Sequence, residues 1–143
     1  MKCLIALLIV CYVIRASEAM TKEEMVAAFK KIASDCAQNE GATDQDMDEI
    51  FARKVPSTRE GKCVHACLGE MIGVMKNNML DVERAVELAE MAFNGDTTKV
   101  NTARELANEC SGVTDGDRCD AAVKLFECGH MAIKSRGITF ENM

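Results

Sequence analysis

The chain has 143 residues, 28% of them charged, and a formal net charge of −6 at pH 7. This length suits one domain with a modest hydrophobic core. The acidic balance argues against nucleic acid and anionic membranes as partners, because both bind basic surfaces.

The first residues have the pattern of a secretory signal peptide. A positive charge precedes an apolar run at residues 3–14, and the small residues Ser17 and Ala19 stand at positions −3 and −1 of a cleavage site. A membrane span needs about 20 apolar residues, so an N-terminal anchor or a buried first helix is the weaker alternative. We predict a signal peptide at residues 1–19, a mature domain at residues 20–143 and export from the cell.

Two of the eight cysteines lie within the predicted signal peptide. Its removal also takes the net charge from −6 to −7, leaving 15 basic and 22 acidic residues. An even number of cysteines in a short exported chain predicts a disulfide framework, although the count alone does not choose the pairs. The remaining cysteines are Cys36, Cys63, Cys67, Cys110, Cys119 and Cys128.

Capping residues and the spacing of apolar residues predict helices from the start of the mature chain. Thr21 and Glu24 form a capping box that opens the first helix, and Gly41 ends it. Thr43 can cap a short second helix. Pro56 then interrupts the helical pattern.

The third to sixth predicted helices follow in the same way. A capping box that starts at Ser57 opens a long helix to about residue 77. Asp81 caps the fourth helix, the fifth starts at Thr97, and Asp117 caps the last. No stretch alternates apolar and polar residues long enough to indicate a strand. The sequence therefore predicts an all-α domain of six helices.

The cysteine spacing constrains how these helices are joined. Cys63 and Cys67 are one helical turn apart on one face, so each is expected to bond a different neighbouring helix. Cys119 and Cys128 point to roughly opposite sides of the last helix. A metal site is the alternative, but Cys-x-x-Cys pairs are missing and export favours oxidation, so we predict no metal.

The intervals between the cysteines resemble those of the insect odorant-binding proteins of the pheromone and general odorant-binding type. Intervals of three and of eight residues are the least variable in that family, and both occur here. The resemblance covers the whole mature chain. In order, 26, 3, 42, 8 and 8 residues separate Cys36, Cys63, Cys67, Cys110, Cys119 and Cys128.

The resemblance implies a compact six-helix domain with three interlocked disulfides around a closed internal apolar cavity. It further implies a carrier of small volatile or lipid-like molecules, with no catalysis and no cofactor. The implied pairs are Cys36 with Cys67, Cys63 with Cys119, and Cys110 with Cys128.

A stripe of mostly apolar residues on the third predicted helix is expected to line that cavity, with partners from other helices. The nine methionines of the mature chain suit such a site, because their flexible side chains can repack around different ligands. Ordinary core packing is the alternative for any one of these residues. The stripe is His65, Leu68, Ile72, Met75 and Met79, and the partners are Phe29, Leu88, Met91, Leu106, Phe126 and Met131.

Two histidines and the C-terminal tail complete the candidate site. His65 is the best polar contact for a ligand, because imidazole can both donate and accept a hydrogen bond. Protonation of His65 or His130 is a candidate pH switch, with an ordinary surface role as the alternative. Phe140, in the tail after Gly137, is expected to cover the cavity as part of a lid, unless this terminus is frayed.

Enzymatic functions find little support in the sequence. His65 lies between two cysteines, as in secreted phospholipases A2, but the following Asp and the Gly-rich calcium loop of those enzymes are missing. We therefore predict a secreted carrier whose partners are a small apolar ligand, a membrane odorant receptor and, in a weak homodimer, a second copy. A non-olfactory carrier of hormones or fatty acids and a surface-acting helical signalling protein are the alternatives.

Overall fold

The computed structural model describes residues 21–138, which form six helices and one short hairpin, so the all-α class is confirmed. The predicted signal peptide, residues 1–19, lies outside the described residues. No helix within the described range has the length and hydropathy needed to cross a membrane. The elements are α1 (Lys22–Glu40), α2 (Asp44–Phe51), α3 (Arg59–Met71), β1 (Met75–Lys76), β2 (Met79–Leu80), α4 (Val82–Ala92), α5 (Thr97–Cys110) and α6 (Arg118–Ser135).

The predicted caps of the first two helices are confirmed. Thr21 and Glu24 form a capping box at the start of α1, and Gly41 ends this helix with a positive φ of 70°. Thr43 caps α2 in a second capping box with Asp46. These caps satisfy backbone N–H groups that a helix leaves without partners at its N-terminus.

The predicted cap of α3 is wrong by one residue. The hydroxyl of Thr58, not that of Ser57, accepts a hydrogen bond from the backbone N–H of Gly61 at 3.0 Å. Ser57 instead donates its hydroxyl and its backbone N–H to the carboxylate of Glu49, both at 2.8 Å. Glu49 belongs to α2, so a tertiary contact occupies the side chain that local sequence assigned to the cap.

The third helix is also shorter than predicted, because it ends at Met71 and a hairpin follows. Its strands are antiparallel, with Met75 opposite Leu80. Asn77 and Asn78 connect them with φ values of 52° and 60°. Two consecutive positive φ values characterise the tight turns that fit the twist of a hairpin, and Asn tolerates this conformation. The prediction that this segment is helical was therefore wrong.

Three disulfides join the helices in the pairs that the resemblance implies. Cys36–Cys67 joins α1 to α3, Cys63–Cys119 joins α3 to α6, and Cys110–Cys128 joins α5 to α6. Neighbouring cysteines of α3 thus bond different helices, as their shared face predicts. The last helix is held from both sides. Such bonds stabilise the fold mainly by restricting the unfolded chain.

The helix α3 lies at the centre of the core. One buried cluster joins it to α1 and α2, through side chains that include Ala33, Ile50 and Val64. A second cluster packs Ala66 of α3 against Met75 of the hairpin and against small residues of α6. Because α3 contacts α1, α2 and α6, a ligand site beside it can draw residues from all four helices.

Candidate ligand cavity

A cavity of about 570 Å³ lies among α1, α2, α3 and α6. Two phenylalanines at its edge, Phe29 and Phe51, are 40% and 48% exposed, so in the described part of the chain the cavity reaches the surface instead of being closed. Its apolar side chains are those of Phe29, Ile50, Phe51, Leu68, Leu125, Phe126 and Ile133.

Helical spacing explains how α6 contributes to this wall. Leu125, Phe126, Gly129, His130 and Ile133 lie on one side of the helix, because residues three, four and seven apart share a face. A Cβ atom added at Gly129 would meet nothing within 4 Å. The missing side chain at this position therefore adds open space to the cavity wall.

The α3 side of the cavity depends on a different glycine. Gly69 also lines the cavity, but a Cβ atom there would lie 2.9 Å from the Cβ atom of Met75. Glycine at position 69 thus lets the hairpin pack closely against α3. His65 and Leu68 are the α3 side chains that line the cavity.

The structure brings four of the predicted ligand-binding residues together in this cavity. These are Phe29 of α1, His65 and Leu68 of α3, and Phe126 of α6. They come from three helices that are distant in sequence.

The distal part of the predicted α3 stripe lies elsewhere. Ile72 ends the helix as its C-cap, so the helical spacing on which the stripe depends stops there. Met75 is 5% exposed in the core of the hairpin, and Met79 is 42% exposed on the second strand. Among residues 21–138, no methionine lines the 570 Å³ cavity.

The other predicted residues between positions 21 and 138 do not line this cavity either. Leu106 lines a separate cavity of about 160 Å³, and Met131 borders a neighbouring groove and is 64% exposed. Met91 is 53% exposed on α4, and Leu88 is half-buried there. Phe140 lies outside the described residues, so its role in a lid stays a prediction.

Several residues of the cavity wall were not in the predicted set. Ile50 and Phe51 come from α2, and Leu125 and Ile133 flank Phe126 on α6. The face shared with Phe126 was the signal that could have identified the two α6 residues. Arg53 lies at the rim, just beyond the end of α2, and has a positive φ of 55°.

His65 carries a buried polar atom in this apolar wall. Its Nε2 atom is buried and has no hydrogen-bond partner in the described part of the protein. Burial lowers the pKa of His65 below its usual value of 6.5, so the imidazole is neutral at pH 7. The ring centroid of Phe126 lies 4.9 Å from that of His65. On its own helix, the ring centroid of Phe126 lies 6.1 Å from that of His130.

Comparison with known proteins identifies the family. The model of the PBP/GOBP family matches residues 18–132. The chain belongs to this family. General odorant-binding protein 28a of Drosophila melanogaster is 32% identical over 122 residues, which cover 84% of this chain and 85% of that protein. General odorant-binding protein 19d of the same fly is 30% identical over 113 residues, covering 78% and 75%.

Solved structures of the family have the same fold. That of odorant-binding protein 28a from Drosophila melanogaster superposes with a TM-score of 0.73 at 31% identity, covering 83% of this chain and all of that one. A fatty acid binding protein, OBP56a, from the oral disk of the blowfly Phormia regina superposes with a TM-score of 0.66 at 22% identity, covering 82% and 99%. The second likeness concerns the fold alone.

Proposed function

We propose that this protein is a secreted carrier that binds small hydrophobic ligands, such as odorants, pheromones or similar semiochemicals, in the 570 Å³ cavity. The observation that carries the proposal is the meeting of Phe29, Leu68 and Phe126 around this space, in a chain of the odorant-binding family. Ligand cavities of proteins commonly enclose roughly 300–1,000 Å³.

The chemistry of the wall supports a carrier and not an enzyme. Most of its side chains are apolar, and each methylene group that a ligand buries there contributes about 0.8 kcal/mol. Within residues 21–138, the remaining polar side chains of the wall are those of His65 inside and of Arg53 and His130 at the rim. This set holds a ligand by burial of apolar surface, with few directional contacts, as a soluble carrier requires.

Delivery to a membrane odorant receptor would complete this role, and sensillum lymph would then be the compartment. A weak homodimer is compatible with the same function. The surface-acting alternative requires a filled core, and the cavity beside α3 favours the carrier instead.

Displacement of a fluorescent apolar probe, N-phenyl-1-naphthylamine, tests the proposal with a variant that fills the cavity. Gly129 lines the cavity, and a Cβ atom added there has no neighbouring atom within 4 Å. Gly129→Leu therefore places a branched side chain in open space at the cavity wall. We expect the Kd of the probe to rise about tenfold, because the added side chain occupies apolar space that the ligand needs.

Gly112→Leu is the matched control. Position 112 is a loop glycine outside the cavity, and a Cβ atom there also meets nothing within 4 Å. Its Kd should equal that of the wild type. Equal probe binding by all three proteins would show that ligands do not use this cavity, and a wild type that binds no probe would contradict the carrier function itself.

A further inference from the structure

We propose that the carried ligand is an apolar alcohol whose hydroxyl group hydrogen-bonds Nε2 of His65. The inference rests on the proposed carrier function and specifies the chemical class of its ligand. It follows from the position of one polar atom in the cavity wall and from what surrounds that atom.

The first observation is the state of His65 in the folded protein. Its Nε2 atom is buried and has no hydrogen-bond partner among residues 21–138. Buried polar groups are nearly always paired, since an unpaired one loses its hydrogen bonds to water without replacement. His65 also lines the cavity, so a molecule in the cavity can supply the missing partner.

The second observation is the apolar surroundings of this atom. The centroid of the Phe126 ring lies 4.9 Å from that of the His65 ring, with the two planes tilted by 57°, and Leu68 and Ile133 line the same cavity. The second histidine, His130, lies beyond Phe126 and is exposed. A polar group held deep in the cavity therefore has His65 as its partner, while the rest of the ligand lies against apolar side chains.

These surroundings select an uncharged group. A carboxylate beside His65 would lose its hydration in an apolar wall, and burial also disfavours the charged imidazolium that would have to pair with it. A hydroxyl group avoids this cost. It can donate to an unprotonated Nε2 or accept from a protonated one, so it pairs with either neutral tautomer.

Other oxygen groups fit less well. An aldehyde or an ester only accepts, so it pairs with one tautomer, and a hydrocarbon leaves Nε2 without a partner. The rim offers the competing possibility, because Arg53 and Lys54 border the adjoining groove of about 540 Å³ and could hold a carboxylate at the cavity mouth. If these cations held the ligand, the protein would prefer acids, and replacement of His65 would not change that preference.

The test compares four ligands of one chain length: 1-decanol, decanal, decane and decanoate. Each displaces N-phenyl-1-naphthylamine from the wild-type protein at neutral pH. We expect 1-decanol to bind about fivefold more tightly than decane, with decanal between them, which is the effect of one hydrogen bond to a buried group. Decanoate should bind more weakly than the alcohol.

Substitutions then assign the preference to one atom. His65→Leu should remove the difference between 1-decanol and decane, and His65→Gln should keep part of it because the amide can still donate and accept. Asn101→Leu changes an exposed residue of α5 that does not line the cavity, so it is the control and should leave the difference unchanged. The four-ligand comparison in the wild type needs no variant, so a variant that fails to fold does not weaken the test.

Each result bears on a different claim. If 1-decanol and decane compete equally in the wild type, the inference is wrong, although the carrier function stands. If decanoate binds more tightly than 1-decanol and His65→Leu does not change this, the inference is also wrong and the rim cations hold the ligand. If neither the probe nor any of the four compounds binds, the carrier function fails together with the inference.

Discussion

The hydroxyl of Thr58 donates a hydrogen bond to the buried carboxylate of Asp46, which joins the start of α3 to the start of α2. Asp46 is 1% exposed, and it also accepts from the backbone N–H and the hydroxyl of Thr43, both at 2.7 Å. One carboxylate thus connects the caps of two helices that carry the cavity residues Ile50 and His65.

Replacement of this carboxylate should destabilise the protein. Asp46→Ala leaves the donors of Thr43 and Thr58 without their acceptor, and we expect the free energy of unfolding to fall by about 2 kcal/mol. Urea denaturation with the disulfides intact measures the change. Asp48→Ala removes an exposed carboxylate from the same helix and should change the free energy by less than about 0.5 kcal/mol. Equal losses in the two variants would contradict the role of Asp46.

Alanine at two glycines of the cavity wall should have opposite effects on stability. Gly69→Ala forces a Cβ atom against Met75 at 2.9 Å and should lower the free energy of unfolding by roughly 1–3 kcal/mol. Gly129→Ala enters open space within α6 and should raise it by about 0.5–1 kcal/mol, since alanine favours the helix. Thermal unfolding checks both, and a shift of the same sign in both would refute this account of the packing.

The disulfide with the longer sequence separation should contribute more to stability. Cys63 and Cys119 are 56 residues apart, and Cys110 and Cys128 are 18 apart. The chain-entropy relation gives about 4 kcal/mol for the first bond and about 3 kcal/mol for the second.

Paired alanine variants test this difference under matched conditions, because each bond joins one buried and one half-buried cysteine. The variant without Cys63–Cys119 should unfold at the lower urea concentration. A lower midpoint for the variant without Cys110–Cys128 would show that local packing outweighs loop length.

The pKa of His65 predicts a pH dependence of stability. Burial holds the folded-state pKa below 6.5, so the unfolded chain binds a proton at His65 before the folded protein does. The resulting loss of stability is absent well above pH 6.5 and grows as the pH falls from 6.5 towards the folded-state pKa. Its slope cannot exceed about 1.4 kcal/mol per pH unit.

Unfolding curves between about pH 7.5 and 5 measure this effect by comparison with His65→Gln, which does not titrate. The free energy of the wild type should decline relative to that of the variant over the acidic part of the range. Parallel curves for wild type and His65→Gln would mean that His65 does not titrate differently in the two states.

The sequence by itself determined the helices whose ends depend on nearby residues. Thr21, Thr43 and Asp117 could be identified as caps from their residue type and position, because a cap depends only on residues close by in the chain. In the structure each of these side chains accepts a hydrogen bond from a backbone N–H two or three residues away. The six-cysteine spacing likewise indicated the family that the comparisons establish. The hairpin at Asn77–Asn78 was missed, because its two-residue strands are too short to show alternation.

Tertiary structure alone decided which side chains form the cavity. Phe29 and Phe126 are almost one hundred positions apart, and the disulfides and packing of α3 bring their helices to one space. Nor did helical spacing show that Met75 would enter the core, because the chain turns at the end of α3. Local hydrogen bonds specify where helices begin. The shape of a cavity depends instead on how helices that are distant in sequence pack together. No short stretch of sequence contains the contacts that decide this packing.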